Sequence, residues 1–168
     1  SDVLKKMGAA YHYPTEFFLM QDSVLGPGTS EFFHRRRQAA SPRTLRQIHA
    51  DINISIMNIS RLLKAVELLP DAIPRIDLDE GLSPADIARL VRSQWSLPLG
   101  PAESVVGAIE DAGGIVSMCD FGTPLVDAVS RYVPGLPRMF FVAGSQPGDR
   151  QRLTLAHELG HAIMHHFP

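Results

Sequence analysis

The longest regular pattern in the chain lies between residues 43 and 69. Leu45, Ile48, Ile52, Ile59, Leu62, Val66 and Leu69 recur at alternating steps of three and four, and only Ser55 interrupts them. This period predicts one amphipathic helix with a heptad-like seam, roughly 35–40 Å long at about 1.5 Å per residue. Such a seam can pair with its twin in a homodimer, or it can lie on the chain's own domain. Upstream, "VLKKMGAA" has short helical character, and "YHYPTEFFLM" gathers aromatic rings around a proline. Gly26, Pro27 and Gly28 then break the pattern. The basic run at residues 34–37 reads as a solvated edge or loop, with phosphate contact as the sharper alternative. Downstream, "PDAIPRIDLDEGL" combines prolines, a glycine and four acids, which predicts a linker. The chain therefore divides into a helical linker or dimerisation segment, residues 1–78, and a compact domain, residues 79–168.

The second part alternates helical and strand signals. Ser83 suits an N-cap, Pro84 the first helical position and Asp86 the first turn. Ile87, Leu90, Val91 and Trp95 then form one apolar face. A second helix is expected from about Ala102 to Ala112, stopped by Gly113 and Gly114. "IVSMC" reads as a short strand. "LVDAVSRYV" reads as another, with Val126, Ala128 and Ser130 on one face. "RMFFVAG" is a continuous apolar run and predicts a buried strand. From Arg150 onward the helical period returns, with Leu155, Leu159 and Ile163 on an apolar side. The whole reads as an α+β fold, with helices packed on a short mixed sheet after a mainly helical N-terminal segment.

Composition adds little to this picture. The chain has 168 residues, 45% hydrophobic and 20% charged, which is ordinary for a globular protein with a core. A net charge of −2 gives no global attraction to nucleic acid or anionic membrane. One cysteine, Cys119, excludes an intrachain disulfide and fits a reducing compartment. No apolar run approaches the roughly 18 residues of a membrane span, and no signal peptide opens the chain. The expectation is a cytoplasmic protein with no membrane partner. The chain opens on Ser1 and stops soon after its last motif, which predicts a piece of something longer.

That motif is "HELGH". His157 and His161 are four apart, so on a helix both imidazoles leave the same face about 6 Å apart along the axis. Two such nitrogens can reach one zinc ion at about 2.0–2.1 Å. Glu158 lies beside the pair and can take a proton from a water that the ion acidifies, as in His-Glu-x-x-His hydrolases. Gly160 costs roughly 1 kcal/mol of helix propensity against Ala, so close approach of a strand or substrate backbone is expected there. His165 keeps the four-residue spacing but lies about 12 Å from His157 along the axis. It suits a packing role, or one of orienting a neighbouring ring. His166 points away, and His12, His34 and His49 have no spacing partner. A peptide substrate would add to an edge strand, either 126–132 or 139–143. Tyr132 is a candidate for stabilising an oxyanion.

"RQRLTLAHELGHAIMHH", preceded by "RMFFVAG", resembles the ImmA/IrrE metallopeptidase family. The likeness extends through "GPAESVVGAIEDAGGIVSM" and "SPADIARLVRSQWSLP". It is weaker over residues 1–82, where "MGAAYHYPTEFF" is similar to the segment after a Cro/repressor-type helix-turn-helix, and "FFHRRRQAAS" to the spacer that follows it. The resemblance implies a zincin-like fold with His157 and His161 as zinc ligands and Glu158 as the catalytic glutamate. His165 matches the last His of the family's run. It implies an acidic third ligand on a later helix, beyond Pro168. The activity implied is a zinc endopeptidase that regulates transcription, or a stress or phage response, by cleaving a helix-turn-helix repressor. DNA would be reached through an N-terminal domain absent from this chain. The alternative is a transcription regulator whose peptidase-like domain senses a ligand or metal without cleaving anything.

Overall fold

The computed structural model describes residues 2–21, 41–77 and 81–164. The glycine-proline break at 26–30, the basic run at 34–37, the boundary expected at 78/79, His165 and His166 lie outside these residues. Among the described residues, helix α1 (Asp2–Tyr11) is followed by a 3-10 turn, Thr15–Leu19. The predicted aromatic cluster forms between them: the Tyr13 and Phe17 rings stack at 4.5 Å, and Phe18 meets Phe17 edge-on at 5.4 Å.

The remaining elements are α2 (Pro42–Leu63), α3 (Pro84–Gln94), α4 (Val105–Asp111), β1 (Ile115–Cys119), β2 (Ala128–Arg131), β3 (Met139–Ala143) and α5 (Gly148–Met164). The three strands form one mixed sheet in the order β1-β3-β2. β1 runs parallel to β3, with Ile115 opposite Met139, and β2 runs antiparallel, with Ser130 opposite Phe140. The fold class is α+β, as the sequence predicts. Every residue of β3 is buried, because this central strand is covered on both faces. A strand covered twice needs an unbroken apolar run, which "MFFVA" supplies.

Side chains alternate across the sheet and divide the core in two. Phe140, Val142 and Ala128 pack with Ile87, Val91, Ile109, Leu155 and Ile163 of α3, α4 and α5. Met139, Phe141 and Val129 pack with Ile48, Ile52 and Ile56 of α2. Phe140 and Phe141 are both fully buried. Each such ring stabilises the fold by about 2–3 kcal/mol.

α2 departs from its expected form in two ways. Its buried stripe steps by four, through Ile48, Ile52 and Ile56, instead of following a heptad through Ser55. The Ser55 hydroxyl instead donates to the Asp51 carbonyl at 2.9 Å. A helix on a sheet follows its natural 3.6-residue period, whereas a 3.5-residue seam requires a coiled partner. The helix also ends at Leu63, not at residue 69. Pro70 disfavours helical backbone at Leu69, and Leu62, Val66 and Leu69 remain exposed.

α3 forms where predicted, with Ile87 and Val91 buried, but Leu90, expected on the same face, is exposed. Asp86 N–H donates to Ser83 Oγ and Ser83 N–H donates to Asp86 Oδ2, each at 3.2 Å, which closes a capping box. α4 starts at Val105, three residues later than expected, because Ser104 Oγ caps it by accepting from Gly107 N–H. Gly113 ends that stretch with φ +82°, and a Cβ there would lie 2.5 Å from the Pro70 carbonyl oxygen. Only glycine fits both the conformation and the space.

Residues 70–77, with their prolines, form a fastened strap. Ala72 N–H donates to Ala112 O at 2.9 Å, and Ile76 N–H donates to Ile163 O at 3.0 Å. The Trp95 indole donates to Ala72 O at 3.2 Å. Arg138, almost fully buried, donates to Ile73 O at 2.9 Å and to Ala162 O at 3.0 Å, and pairs with Asp71 at 3.4 Å. Ile73 itself is buried in the core.

Candidate active site

α5 carries the histidines, and its start is set by side chains. The Gln151 amide donates to Gln146 O at 2.7 Å, and its backbone N–H donates to Pro147 O at 2.9 Å. Asp149 in the first turn suits the positive end of the helix dipole. Arg150 reaches back to Asp127, ahead of β2, at 2.9 Å. Leu155 and Ile163 then bury one face against the sheet. This orientation fixes the rest: His157 is exposed, His161 half-buried, and Glu158 only 3% exposed.

His157 Nε2 and His161 Nε2 lie 3.1 Å apart, with ring planes at 84°. Two nitrogens bound to one tetrahedral zinc ion at about 2.05 Å each would stand roughly 3.3 Å apart. The pair therefore fits two corners of one ion's coordination with little adjustment. Among the described residues, no third His, Cys, Asp or Glu joins them in a metal-holding cluster.

Glu158 is gripped by β2. Its Oε2 accepts from Ser130 Oγ at 2.8 Å and from Ser130 N–H at 3.2 Å. The strand's pairing explains why that amide is available. Asp127 O accepts from Ala143 N–H, so residues 127, 129 and 131 turn their polar backbone toward β3. Ala128 and Ser130 turn theirs outward. The same alternation aims the Ser130 side chain at α5. The sequence gives Ser130 a place on that face but no role. The available clue was a hydroxyl at an otherwise apolar inward position, which requires a hydrogen-bond partner.

Other expected features fall differently. Val126 precedes β2 and packs with Phe121 and α2, away from Ala128 and Ser130. Strand 139–143 is central and paired on both sides, so it offers no edge to a substrate. Among the described residues, β2 is paired on one side only, which leaves it as the edge beside α5. Tyr132 is exposed just past β2, with the Arg75 guanidinium 4.8 Å above its ring. Among the described residues no strand approaches Gly160; a Cβ there would meet only the Met164 methyl, at 3.5 Å. His49 sits half-buried on α2, across the sheet from α5. An open apolar cavity of about 230 Å³ lies on the other flank of α5, bordered by Ile87, Trp95, Val105 and Leu159.

Residues 113–168 match the model of a peptidase family described as the IrrE N-terminal-like domain. The match takes in all three strands and α5, and leaves α2, α3 and α4 outside it. No curated protein and no solved structure matches the chain. Among the described residues, no helix is long and apolar enough to cross a membrane.

Proposed function

We propose that this chain carries the catalytic helix of a zinc-dependent endopeptidase of the ImmA/IrrE type. The observation that supports it is the convergence of His157 and His161 on one point, with Glu158 beside them under an edge strand. The two histidines would hold the metal, with a third ligand from outside the described residues. When bound, zinc polarises a peptide carbonyl and makes a water a better nucleophile at neutral pH. Glu158 takes the proton from the attacking water on its carboxylate and passes it to the departing amine. The outward backbone groups of β2 that Glu158 leaves open, the Ser130 carbonyl among them, pair with the extended substrate and hold its carbonyl beside α5.

The substrate in this reading is a protein, with a helix-turn-helix repressor the first candidate, and cleavage would regulate transcription in a stress or phage response. A homodimer through residues 43–69 would use Leu62, Val66 and Leu69, because Ile48 and Ile52 are committed to the sheet.

Elemental analysis and peptide cleavage test the reading together. A version continued past Pro168, so that it supplies the implied acidic ligand, is expected to hold about one zinc, lost in His157→Ala. Glu158→Gln is expected to keep the zinc and lose cleavage by about 10²–10⁴-fold. Zinc bound without cleavage of any peptide or repressor offered would favour the ligand-sensing regulator instead. No zinc at any concentration in that longer version would remove both the metal and the peptidase.

A further inference from the structure

Glu158 has to be nearly buried and yet hold one orientation. A glutamate carries three side-chain torsions, and helix α5 fixes only where its Cα begins. The structure assigns that task to Ser130: we propose that it is the positioning residue for Glu158, holding Oε2 with both its hydroxyl and its amide and so fixing the carboxylate on the turn that carries His157 and His161. This proposal rests on the peptidase reading above and names a residue it did not include.

Three observations carry it. The two donors belong to one residue, and its hydroxyl and amide converge on a single oxygen at 2.8 and 3.2 Å. Two bonds to one oxygen leave the carboxylate plane little room to turn, which one bond would not achieve. The amide comes from the outward register of β2, so it is present without breaking the sheet. Ser130 and Glu158 are also separated by 28 residues in sequence and sit on different elements. Their contact therefore fixes the helix's glutamate relative to the strand on which the substrate would lie. Bond-making distance between base and substrate is set by that relation, and an error of about 1 Å there can cost 10²-fold in rate.

Two readouts on the whole chain test it. In the first, glutamate carboxyl carbons are isotopically labelled; the chain has seven glutamates, and the Glu158 resonance is the one missing from Glu158→Gln. Ser130→Ala is expected to shift and broaden that resonance at constant pH, and Ser130→Thr to return it. A resonance unmoved by Ser130→Ala overturns the proposal, whatever the chain's activity. In the second, the zinc-loaded version continued past Pro168 acts on a fluorogenic peptide mixture. Ser130→Ala is expected to lower kcat by about 10–100-fold while KM and zinc affinity stay within about two-fold, with recovery in Ser130→Thr. Full kcat in Ser130→Ala, or a loss of zinc affinity equal to the loss of rate, overturns the positioning role. If the unsubstituted version continued past Pro168 holds zinc and cleaves nothing, the peptidase reading fails and takes this role with it. The carboxyl resonance then still reports whether the Ser130 contact exists, so the two failures remain distinct.

Discussion

Gly160 sits inside the HELGH run at the midpoint between a tolerated weakness and a required one. A glycine in mid-helix gives up about 1 kcal/mol against alanine. The described residues offer no steric reason for it, because among them only the flexible Met164 methyl stands near the missing Cβ. Gly160→Ala is therefore expected to raise the melting temperature by about 2–4 °C. A fall in melting temperature, measured by calorimetry, would mean that something presses on this position that the isolated chain does not include. Ser130 illustrates the other side of the residue scale. Its neighbours in sequence show that it faces inward, but nothing local shows that a carboxylate 28 residues later waits for it. His157, Glu158 and His161 were legible because one helical turn defines their relation, whereas Ser130 depends on how two elements dock.

At the scale of elements, the Ser-Pro start of α3 and the continuous apolar run of β3 are plain in the sequence, whereas the Ser104 cap that delays α4 is not. Ser83, Pro84 and Asp86 spell out the start of α3, and the capping box forms between them. Hydrogen bonds from Ser83 and Arg89 hold the Asp86 carboxyl at about 2, below its ordinary 3.8. The sign follows: a carboxylate favoured in the folded state adds stability above its unfolded pKa and loses it as pH falls through the folded one. The Asp86 contribution should be complete above about pH 4 and gone near pH 2. Urea midpoints of the chain and of Asp86→Asn are expected to differ at pH 6 and to converge toward pH 2. Elements held by distant partners were harder to read. The prolines of residues 70–77 correctly exclude helix and strand, but they cannot show that Arg138 will collect the strap's carbonyls. Arg138→Leu should cost about 3 kcal/mol, since it strands carbonyls and Asp71 together. Chemical denaturation would check it, and a cost under about 0.5 kcal/mol, the range of ordinary surface changes, would show the strap to be loosely held.

For the whole molecule, the two faces of the sheet matter more than any single element. One face is closed by α3, α4 and α5, the other by α2. A version of the chain starting at residue 79 would uncover Val129, Met139 and Phe141 and would lose Ile73 from the core. It is expected to aggregate or to melt without a cooperative transition, where the full chain gives one. Recovery of a monomeric, cooperatively melting fragment would show that α2 is a detachable cover. The long apolar period of residues 43–69 was readable, but what it packs against was not. A heptad and an ordinary helix differ by a tenth of a residue per turn, and Ile56 and Ser55 are neighbours. Only the sheet decides which of the two turns inward.

The strap has a last consequence, for solvent exchange. Ala72 and Ile76 lie in an irregular, proline-rich stretch whose amides would ordinarily trade hydrogen for deuterium within seconds. Each is instead bonded to a helix end, Ala72 to Ala112 and Ile76 to Ile163, two residues after His161. Their protons can leave only when the strap and those turns part. The Ile76 amide is thus a built-in clock for the parting of the strap from the helix that carries His161, and it can be timed without substrate or metal.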